Sequence, residues 1–126
     1  MEENGILIIH EDPFHRDMIP LCLAHHGFRA TFIAEDFEKG LELLRMVKPV
    51  IVVISDAVVK TSDLNAGKRI REATGAITKI VVLGNSRDEH SREKAKQMGA
   101  DDFAEKAPDA LHHYAHLLRS IKGFIQ

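Results

Sequence analysis

Short apolar runs rich in Val and Ile recur along the chain, and small or polar residues follow each of them. The three clearest are residues 6–9 before His10 and Glu11, residues 50–54 before Ser55 and Asp56, and residues 80–83 before Gly84. A fourth segment, residues 99–106, ends in Lys106. Runs of this length between helical stretches are typical of parallel strands buried on both faces. Because the carboxyl ends of parallel strands meet at one edge of a sheet, these polar residues are expected to converge there.

The stretches between the runs complete an alternating pattern of strands and helices. Predicted strands are residues 6–9, 30–33, 50–55, 80–83 and 102–104, and predicted helices are residues 14–26, 37–46, 64–73, 89–98 and 109–122. Gly27 and Gly99 are placed to end helices. Asp36 and Asp109 are placed to cap the helices that follow them. Pro20 lies inside the first helix and predicts a kink there.

This alternation, with right-handed crossovers, predicts the fold class. It is an α/β doubly wound sheet of five parallel strands in the order 2-1-3-4-5, with helices on both faces. With 126 residues and 44% hydrophobic content, the chain can bury one core, so residues 1–126 are predicted to form a single domain.

Charge and cysteine content exclude several classes of function. The net charge is -2, from 17 basic and 19 acidic residues that are well mixed, so no nucleic-acid binding is expected. No apolar run approaches the roughly 20 residues of a membrane helix. The acidic start, residues 1–4, does not resemble a signal peptide. The single Cys22 cannot form an internal disulfide, which indicates a cytoplasmic protein.

Five segments resemble the receiver domain of bacterial response regulators, the phosphoacceptor module of two-component systems. They are residues 6–12 followed by Pro13-x-x-Arg16, Lys48-Pro49, Ile70-Arg71, Gly99-Ala100-Asp101-Asp102-Phe103, and Lys106 at the family's spacing. The segment that begins at Gly99 is the most specific of them. The resemblance implies a flavodoxin-like (βα)5 fold and a role in phosphorelay signal transduction rather than in enzyme catalysis.

The resemblance also implies a role for each pocket position. In the family, an acidic pair after the first strand holds Mg²⁺, an aspartate at the end of the third strand accepts the phosphoryl group, and a hydroxyl and a lysine bind its oxygens. Glu11 matches the second acid, Lys106 the lysine and Phe103 the aromatic switch position. His10 stands at the first acid and Gly84 at the hydroxyl. Mg²⁺ is therefore expected to bind weakly, through Glu11 and Asp56, or not at all.

The position of the acceptor has two interpretations. Counts from Pro49, from Glu11 and back from Ile70 all put Ser55 there, and a serine cannot form an acyl phosphate. The spacing between Asp56 and Asp63 favours Asp56 instead. Because successive side chains of a strand point to opposite faces, Ser55 and Asp56 cannot both face the pocket unless the strand bulges or ends early.

Three functions follow from these alternatives. The first is a degenerate receiver, or pseudo-receiver, that acts as a phosphorylation-independent protein-interaction module. The second is a phosphorylatable receiver with Asp56 as acceptor, and the third is a small-ligand-binding domain on the same fold. The resemblance implies a protein partner, namely a sensor kinase, an output domain or a second copy, bound through the fourth helix, fifth strand and fifth helix. Because Ala107 rather than proline follows Lys106, the bond between them is predicted to be trans.

Overall fold

Five parallel strands form the centre of the computed structural model, which describes residues 5–62, 65–74, 78–84, 89–106 and 113–125. They are β1 (Ile6–Ile9), β2 (Thr31–Ala34), β3 (Ile51–Ser55), β4 (Lys79–Gly84) and β5 (Asp102–Glu105). They are hydrogen-bonded in the order β2-β1-β3-β4-β5, and every neighbouring pair is parallel. The predicted fold class and strand order are confirmed.

Helices cover both faces of this sheet. In the described part of the chain they are α1 (Pro13–His25), α2 (Phe37–Val47), α3 (Asp56–Thr61), α4 (Ala66–Thr74), α5 (Glu89–Gln97) and α6 (Ala115–Ile125). The buried side chains of α1 and α6 pack on one face of the sheet, and those of α2, α3, α4 and α5 pack on the other. None of the helices in these residues is long and apolar enough to cross a membrane.

The central strands are apolar because both of their faces are buried. All four residues of β1 are 0% exposed. Leu7 and Ile9 pack with α2 on one face, whereas Ile6 and Ile8 pack with α1 on the other. Full burial of each such side chain contributes about 1.5–3 kcal/mol. The hydrophobic effect on two faces therefore fixes which residues of each strand point to which side.

Helix α3 is the main element that the sequence pattern missed. The side chain of Ser55 caps its first turn by accepting a hydrogen bond from the amide of Val58 at 3.2 Å. Val58 and Val59 are buried, and two β-branched residues in a short segment do not predict a helix. Packing against the sheet outweighs that weak local preference.

Other boundaries differ from the prediction by smaller amounts. β2 begins at Thr31 rather than at residue 30, and α4 begins at Ala66 rather than at residue 64, which is outside the described residues. The last helix begins at Ala115 and continues to Ile125, past the predicted end at residue 122. The predicted cap Asp109 also lies outside the described part of the chain. Helix α1 continues on both sides of Pro20 as one element.

The predicted helix ends at Gly27 and Gly99 are found where positive φ is required. Gly27 has φ +92° and Gly99 has φ +80°. After α1, Phe28 donates its amide to the Leu23 carbonyl at 2.9 Å and Gly27 donates to the Ala24 carbonyl at 3.1 Å. This paired arrangement satisfies carbonyls that the helix end would leave open, and a side chain at the glycine would strain it.

A close approach between helices fixes α4 against the end of α5. A Cβ atom added at Gly67 would lie 1.7 Å from the carbonyl oxygen of Met98. Because that neighbour is backbone, it cannot move aside as a flexible side chain could. A Cβ atom added at Gly123, in α6, would meet nothing within 4 Å.

We expect Gly67→Ala to lower the free energy of unfolding by about 2–4 kcal/mol, since the added methyl must push α4 away from α5. Gly123→Ala is the matched control, and its effect should stay within about 1 kcal/mol and tend to stabilise the helix. Urea unfolding of the two variants measures the difference. Equal stability of both variants would mean that the contact at Gly67 does not restrict the packing of these helices.

Candidate functional site

The candidate pocket residues lie at four strand ends, at the carboxyl edge of the sheet. His10 and Glu11 follow β1, Ser55 is the last residue of β3, Gly84 is the last residue of β4, and Lys106 follows β5. The Lys106 amide donates to the Gly84 carbonyl at 2.9 Å, which brings the end of β5 against that of β4. The predicted convergence of these residues is therefore present in the fold.

Ser55 faces Glu11. Its hydroxyl donates a hydrogen bond to Glu11 Oε1 at 2.6 Å while its oxygen accepts from the Val58 amide. Ser55 is 1% exposed, whereas the side chain of Glu11 is about half exposed. The hydroxyl is thus held in one orientation, between the loop after β1 and the first turn of α3.

Asp56 is directed to the other side of the sheet edge. It is the first residue of α3, and its Oδ2 accepts a hydrogen bond from the hydroxyl of Ser91, on α5, at 3.0 Å. Ile51 and Val53 pack on the α1 and α6 side, whereas Val52 and Ile54 pack on the other side. The same alternation separates the side chains of Ser55 and Asp56.

His10 lies between a carboxylate and an ammonium group. Its Nδ1 accepts from the Asp12 amide at 3.1 Å and is 3.2 Å from Glu11 Oε1, and its Nε2 is 3.4 Å from Lys106 Nζ. Burial and the positive charge of Lys106 lower the pKa of His10 to about 4. The imidazole is therefore neutral at physiological pH, and its contact with Glu11 is not an ion pair.

Glu11 remains ionised in this setting. Burial acts to raise the pKa of its carboxyl, but the hydrogen bond from Ser55, a hydrogen bond from the backbone and, to a smaller extent, the positive charge of Lys106 outweigh burial and hold the pKa below its ordinary value. A carboxylate that accepts a short hydrogen bond from a buried hydroxyl is stabilised in its charged form. Glu11 is thus a permanent negative charge at the pocket.

An aromatic ring and a carboxylate both lie against the backbone of Gly84. A Cβ atom added at Gly84 would lie 2.8 Å from Asp56 Oδ2 and 2.8 Å from Cζ of Phe103. The guanidinium of Arg92 lies 5.0 Å from the centroid of the Phe103 ring, and Arg92 also pairs with Glu105. The missing side chain at Gly84 is therefore what lets Phe103 and Asp56 both lie so close to its backbone.

Ser91 and Arg92 take part in this arrangement although the sequence reading did not select them. Helix α5 is dense in charge, but Ser91 and Ala95 are buried at helical spacing within it. A small hydroxyl residue on the buried stripe of a charged helix was the available signal. It could not reveal that Asp56 is the partner, because that contact depends on how α5 packs against α3.

Two segments that carried the family resemblance have structural roles away from the pocket. Arg71 donates to the carbonyls of Thr78 and Gly99 and to Asp101 Oδ2, at 3.1, 2.8 and 3.1 Å. The Ile80 amide also donates to Asp101 Oδ2, at 2.8 Å. These bonds join α4, β4 and the turn before β5. Asp63 and the bond between Lys106 and Ala107 fall outside the described residues.

A family model for the response regulator receiver domain matches residues 6–116. The chain belongs to this family, whose members are signalling modules of two-component systems, generally not enzymes, and bind Mg²⁺ weakly for phosphorylation. No curated protein gives a significant sequence match.

Solved structures share the fold over nearly the whole chain. Vibrio cholerae chemotaxis protein CheY4 superposes with a TM-score of 0.80 at 15% identity, covering 98% of this chain and 100% of that chain. The N-terminal domain of a Wolinella succinogenes protein gives 0.74 at 23% identity, covering 95% and 92%. A co-crystal structure of the Saccharomyces cerevisiae phosphotransfer protein Ypd1 with the receiver domain of its downstream response regulator Ssk1 gives 0.76 at 18% identity, covering 97% and 88%.

The residues of the pocket do not fit Mg²⁺. This ion requires several oxygen ligands in near-octahedral geometry. Glu11 is engaged by Ser55, Asp56 is turned toward Ser91, and the imidazole of His10 and the ammonium of Lys106 take the remaining side. Within the described residues, no group of three or more His, Cys, Asp and Glu side chains is arranged to hold a metal ion.

Buried His10 should make the stability of the chain fall in mild acid. Its pKa is about 4 in the folded chain, against about 6.5 when unfolded. Between these values the unfolded chain binds a proton that the folded chain does not bind. This contribution is therefore fully present above about pH 6.5 and decreases as the pH falls toward 4, by about 2–3 kcal/mol in total.

Urea unfolding between about pH 7.5 and pH 4.5 measures this dependence. His10→Asn should reduce the slope of stability against pH, while the exposed His25→Asn serves as the control and should keep the wild-type slope. Part of the slope should remain in His10→Asn, because burial and Lys106 also lower the pKa of His15. A wild-type slope in His10→Asn would contradict the assignment of the proton to His10.

Proposed function

We propose that this receiver domain is a pseudo-receiver, which signals through protein contacts that do not depend on phosphorylation. The observation that carries this proposal is the direction of two neighbouring side chains: Ser55 is hydrogen-bonded to Glu11, and Asp56 is hydrogen-bonded to Ser91. An acyl phosphate requires a carboxylate at the acceptor position. The residue that faces the acid of the pocket offers a hydroxyl instead.

The charges of the pocket support the same proposal. Phosphoryl transfer to a receiver depends on positioning and on neutralisation of charge by a metal ion and a lysine. A neutral His10 separates Glu11 from Lys106, so the acidic pair that would hold a metal is reduced to one carboxylate. We propose that Ser55, His10, Glu11 and Lys106 form a structural network and that no bound Mg²⁺ is needed for function.

The partner surface that we propose consists of α5, β5 and α6. Two contacts of Arg92, with the ring of Phe103 and with Glu105, join α5 to β5, and the bond of Ser91 to Asp56 joins α5 to α3. In a phosphorylation-switched domain such contacts would have to change between two states. Here the absence of a hydroxyl at Gly84 removes the group that would connect a phosphoryl oxygen to Phe103.

The proposed pseudo-receiver function also implies a domain extent, a location and a class of partner. We propose that residues 1–126 form one non-enzymatic domain in the cytoplasm, which binds a kinase, an output domain or another signalling protein and does not bind nucleic acid. In one solved relative, the receiver domain of Ssk1 is crystallised with the phosphotransfer protein Ypd1. A protein partner of this general kind suits a receiver domain whose surface charges are mixed, since such charges set specificity more than affinity.

The second candidate function is a phosphorylatable receiver that uses Asp56. One observation favours it: the hydroxyl of Ser91, 3.0 Å from Asp56 Oδ2, could supply to a phosphoryl group the bond that Gly84 lacks. Asp56 would then carry the phosphate on the α5 side of the sheet edge rather than beside Glu11.

We expect no acyl phosphate to form when the chain is incubated with Mg²⁺ and a small acyl phosphate donor. The physical reason is that Ser55 cannot form this adduct, while Asp56 is hydrogen-bonded to Ser91 and the neighbouring Gly84 offers no hydroxyl. Intact-mass measurement tests the expectation, with Asp56→Asn as the comparison variant. A phosphate adduct on the wild-type chain that disappears in Asp56→Asn would establish the second candidate function.

The oligomeric state and partner binding of the wild-type chain should not change when Mg²⁺ and a non-transferable phosphoryl mimic are added. The contacts of Ser91 and Arg92 hold α5 and β5 in one arrangement in the proposed pseudo-receiver. The mimic therefore has no second state to favour. Sedimentation velocity with and without the mimic makes the comparison. A complex that assembles only in its presence would return the domain to the phosphorylation-switched class.

A further inference from the structure

Three imidazole rings and one phenol ring lie together where α1 meets the residues just before α6. The ring centroid of His15, on α1, lies 4.8 Å from that of His10 and 5.5 Å from that of His113, and the rings of His15 and His113 are stacked. Tyr114 meets His15 edge to face, at a centroid distance of 5.9 Å. His15 is therefore the centre of a cluster that joins the loop after β1, α1 and the start of α6.

A hydrogen bond ties Tyr114 to α1. The hydroxyl of Tyr114 and Nδ1 of His15 are 2.5 Å apart. Nε2 of the same ring lies 3.9 Å from Asp12 Oδ2, and a carboxylate on that side favours the tautomer that carries its proton on Nε2. Nδ1 is then the acceptor and Tyr114 the donor. Burial raises the pKa of Tyr114 to about 12, so its hydroxyl keeps the proton that this bond needs.

Tyr114 also holds the first turn of α6 in place. Its side chain is 9% exposed and packs among the apolar residues of α1, α6 and the sheet. Its carbonyl accepts a hydrogen bond from the Leu118 amide at 2.9 Å. A displacement of Tyr114 therefore opens this turn, and exchange of the Leu118 amide proton reports how often the turn opens.

A proton on Nδ1 of His15 is incompatible with the bond as it stands. The nitrogen would become a donor and could no longer accept the proton of Tyr114. The hydroxyl would then have to direct that proton to another acceptor, in a site where little solvent is available. A buried polar group that loses its partner is costly. The arrangement around Tyr114 therefore requires a neutral ring at His15.

The groups that face His15 from the neighbouring elements also favour its neutral form. Burial, the positive charge of Lys106 after β5 and the stacked His113 act against a charged ring. The carboxylates of Asp12 and Glu11 act in its favour. The first set outweighs the second, so the pKa of His15 lies below its ordinary value.

Acid therefore favours an open arrangement in which His15 is exposed. The closed arrangement keeps its full advantage above the ordinary histidine pKa of about 6.5 and loses it as the pH falls below that value. Because one proton is taken up on opening, the equilibrium constant for opening can rise by up to about tenfold for each pH unit.

We propose that the hydrogen bond between His15 and Tyr114 is a proton-operated latch between α1 and α6. The latch is closed while His15 is neutral. A proton on His15 opens it and releases the first turn of α6 from α1, while the sheet stays intact. Because α6 belongs to the proposed partner surface, an open latch weakens partner binding in mild acid. Only this last consequence rests on the proposed function, since the latch itself needs neither phosphorylation nor a partner.

Amide hydrogen exchange of the whole chain, followed by NMR between about pH 7.5 and pH 5, tests the latch. Below about pH 6.5 the protection of the Leu118 amide should fall by up to about tenfold for each pH unit. The Gly40 amide is the matched control and should change little, since it donates to the Asp36 carbonyl at 3.0 Å in the first turn of α2. His10, with a pKa of about 4, stays mostly neutral in this range.

Two substitutions separate the latch from a general effect of acid. His15→Gln cannot take up the proton, so the protection of Leu118 should become nearly independent of pH, whereas His25→Asn should keep the wild-type fall. Tyr114→Phe removes the hydroxyl that stabilises neutral His15. The midpoint of His15 protonation, read from its imidazole resonances, should therefore move to higher pH in this variant, while the midpoint of the exposed His25 should not move.

Three results would overturn the proposal. They are a wild-type chain in which Leu118 loses protection no faster than Gly40, a wild-type fall that persists in His15→Gln, and an unchanged His15 midpoint in Tyr114→Phe. The two variants are independent of each other, so one that fails to fold leaves the other measurement decisive. None of these results bears on the proposed function, which rests on the directions of the side chains of Ser55 and Asp56.

Discussion

Successive side chains of a β-strand point to opposite faces of its sheet, and at the end of β3 this constraint determines the chemistry of the molecule. Val52 and Ile54 pack toward one layer of helices, while Ile51 and Val53 pack toward the other. Moving Asp56 to the position of Ser55 would require every one of these residues to change sides, at about 1.5–3 kcal/mol for each apolar side chain that lost its burial. The apolar core of the strand thus keeps a hydroxyl beside Glu11.

Beside that hydroxyl lie one carboxylate, one imidazole and one ammonium group. A buried histidine with a lowered pKa is neutral, and it fills the space between Glu11 and Lys106 without adding charge. Glu11 accepts its hydrogen bond from Ser55, and Nδ1 of His10 accepts from the Asp12 amide. In the proposed pseudo-receiver, these residues serve to hold the ends of β1, β3 and β5 together.

Beside α5, two small residues at the sheet edge determine how Asp56 and Phe103 pack. Gly84 gives Phe103 and Asp56 room to approach, and Ser91 joins Asp56 to α5.

By itself the sequence determined the fold and the strand ends at which the candidate pocket residues lie. Apolar runs of strand length, helix-ending glycines and the Gly99 to Phe103 segment were sufficient, because they report local preferences and the burial of whole elements. His10, Glu11, Ser55, Gly84 and Lys106 could be placed at one edge for the same reason. The sequence left open whether Ser55 or Asp56 faces Glu11, because one residue of register changes the answer and counts along the chain gave two results. It also did not predict α3, the contact of Ser91 with Asp56, or the approach of Phe103 to Gly84. These features depend on distances between elements far apart in the chain, and only the packing of α3 and α5 against the sheet sets those distances.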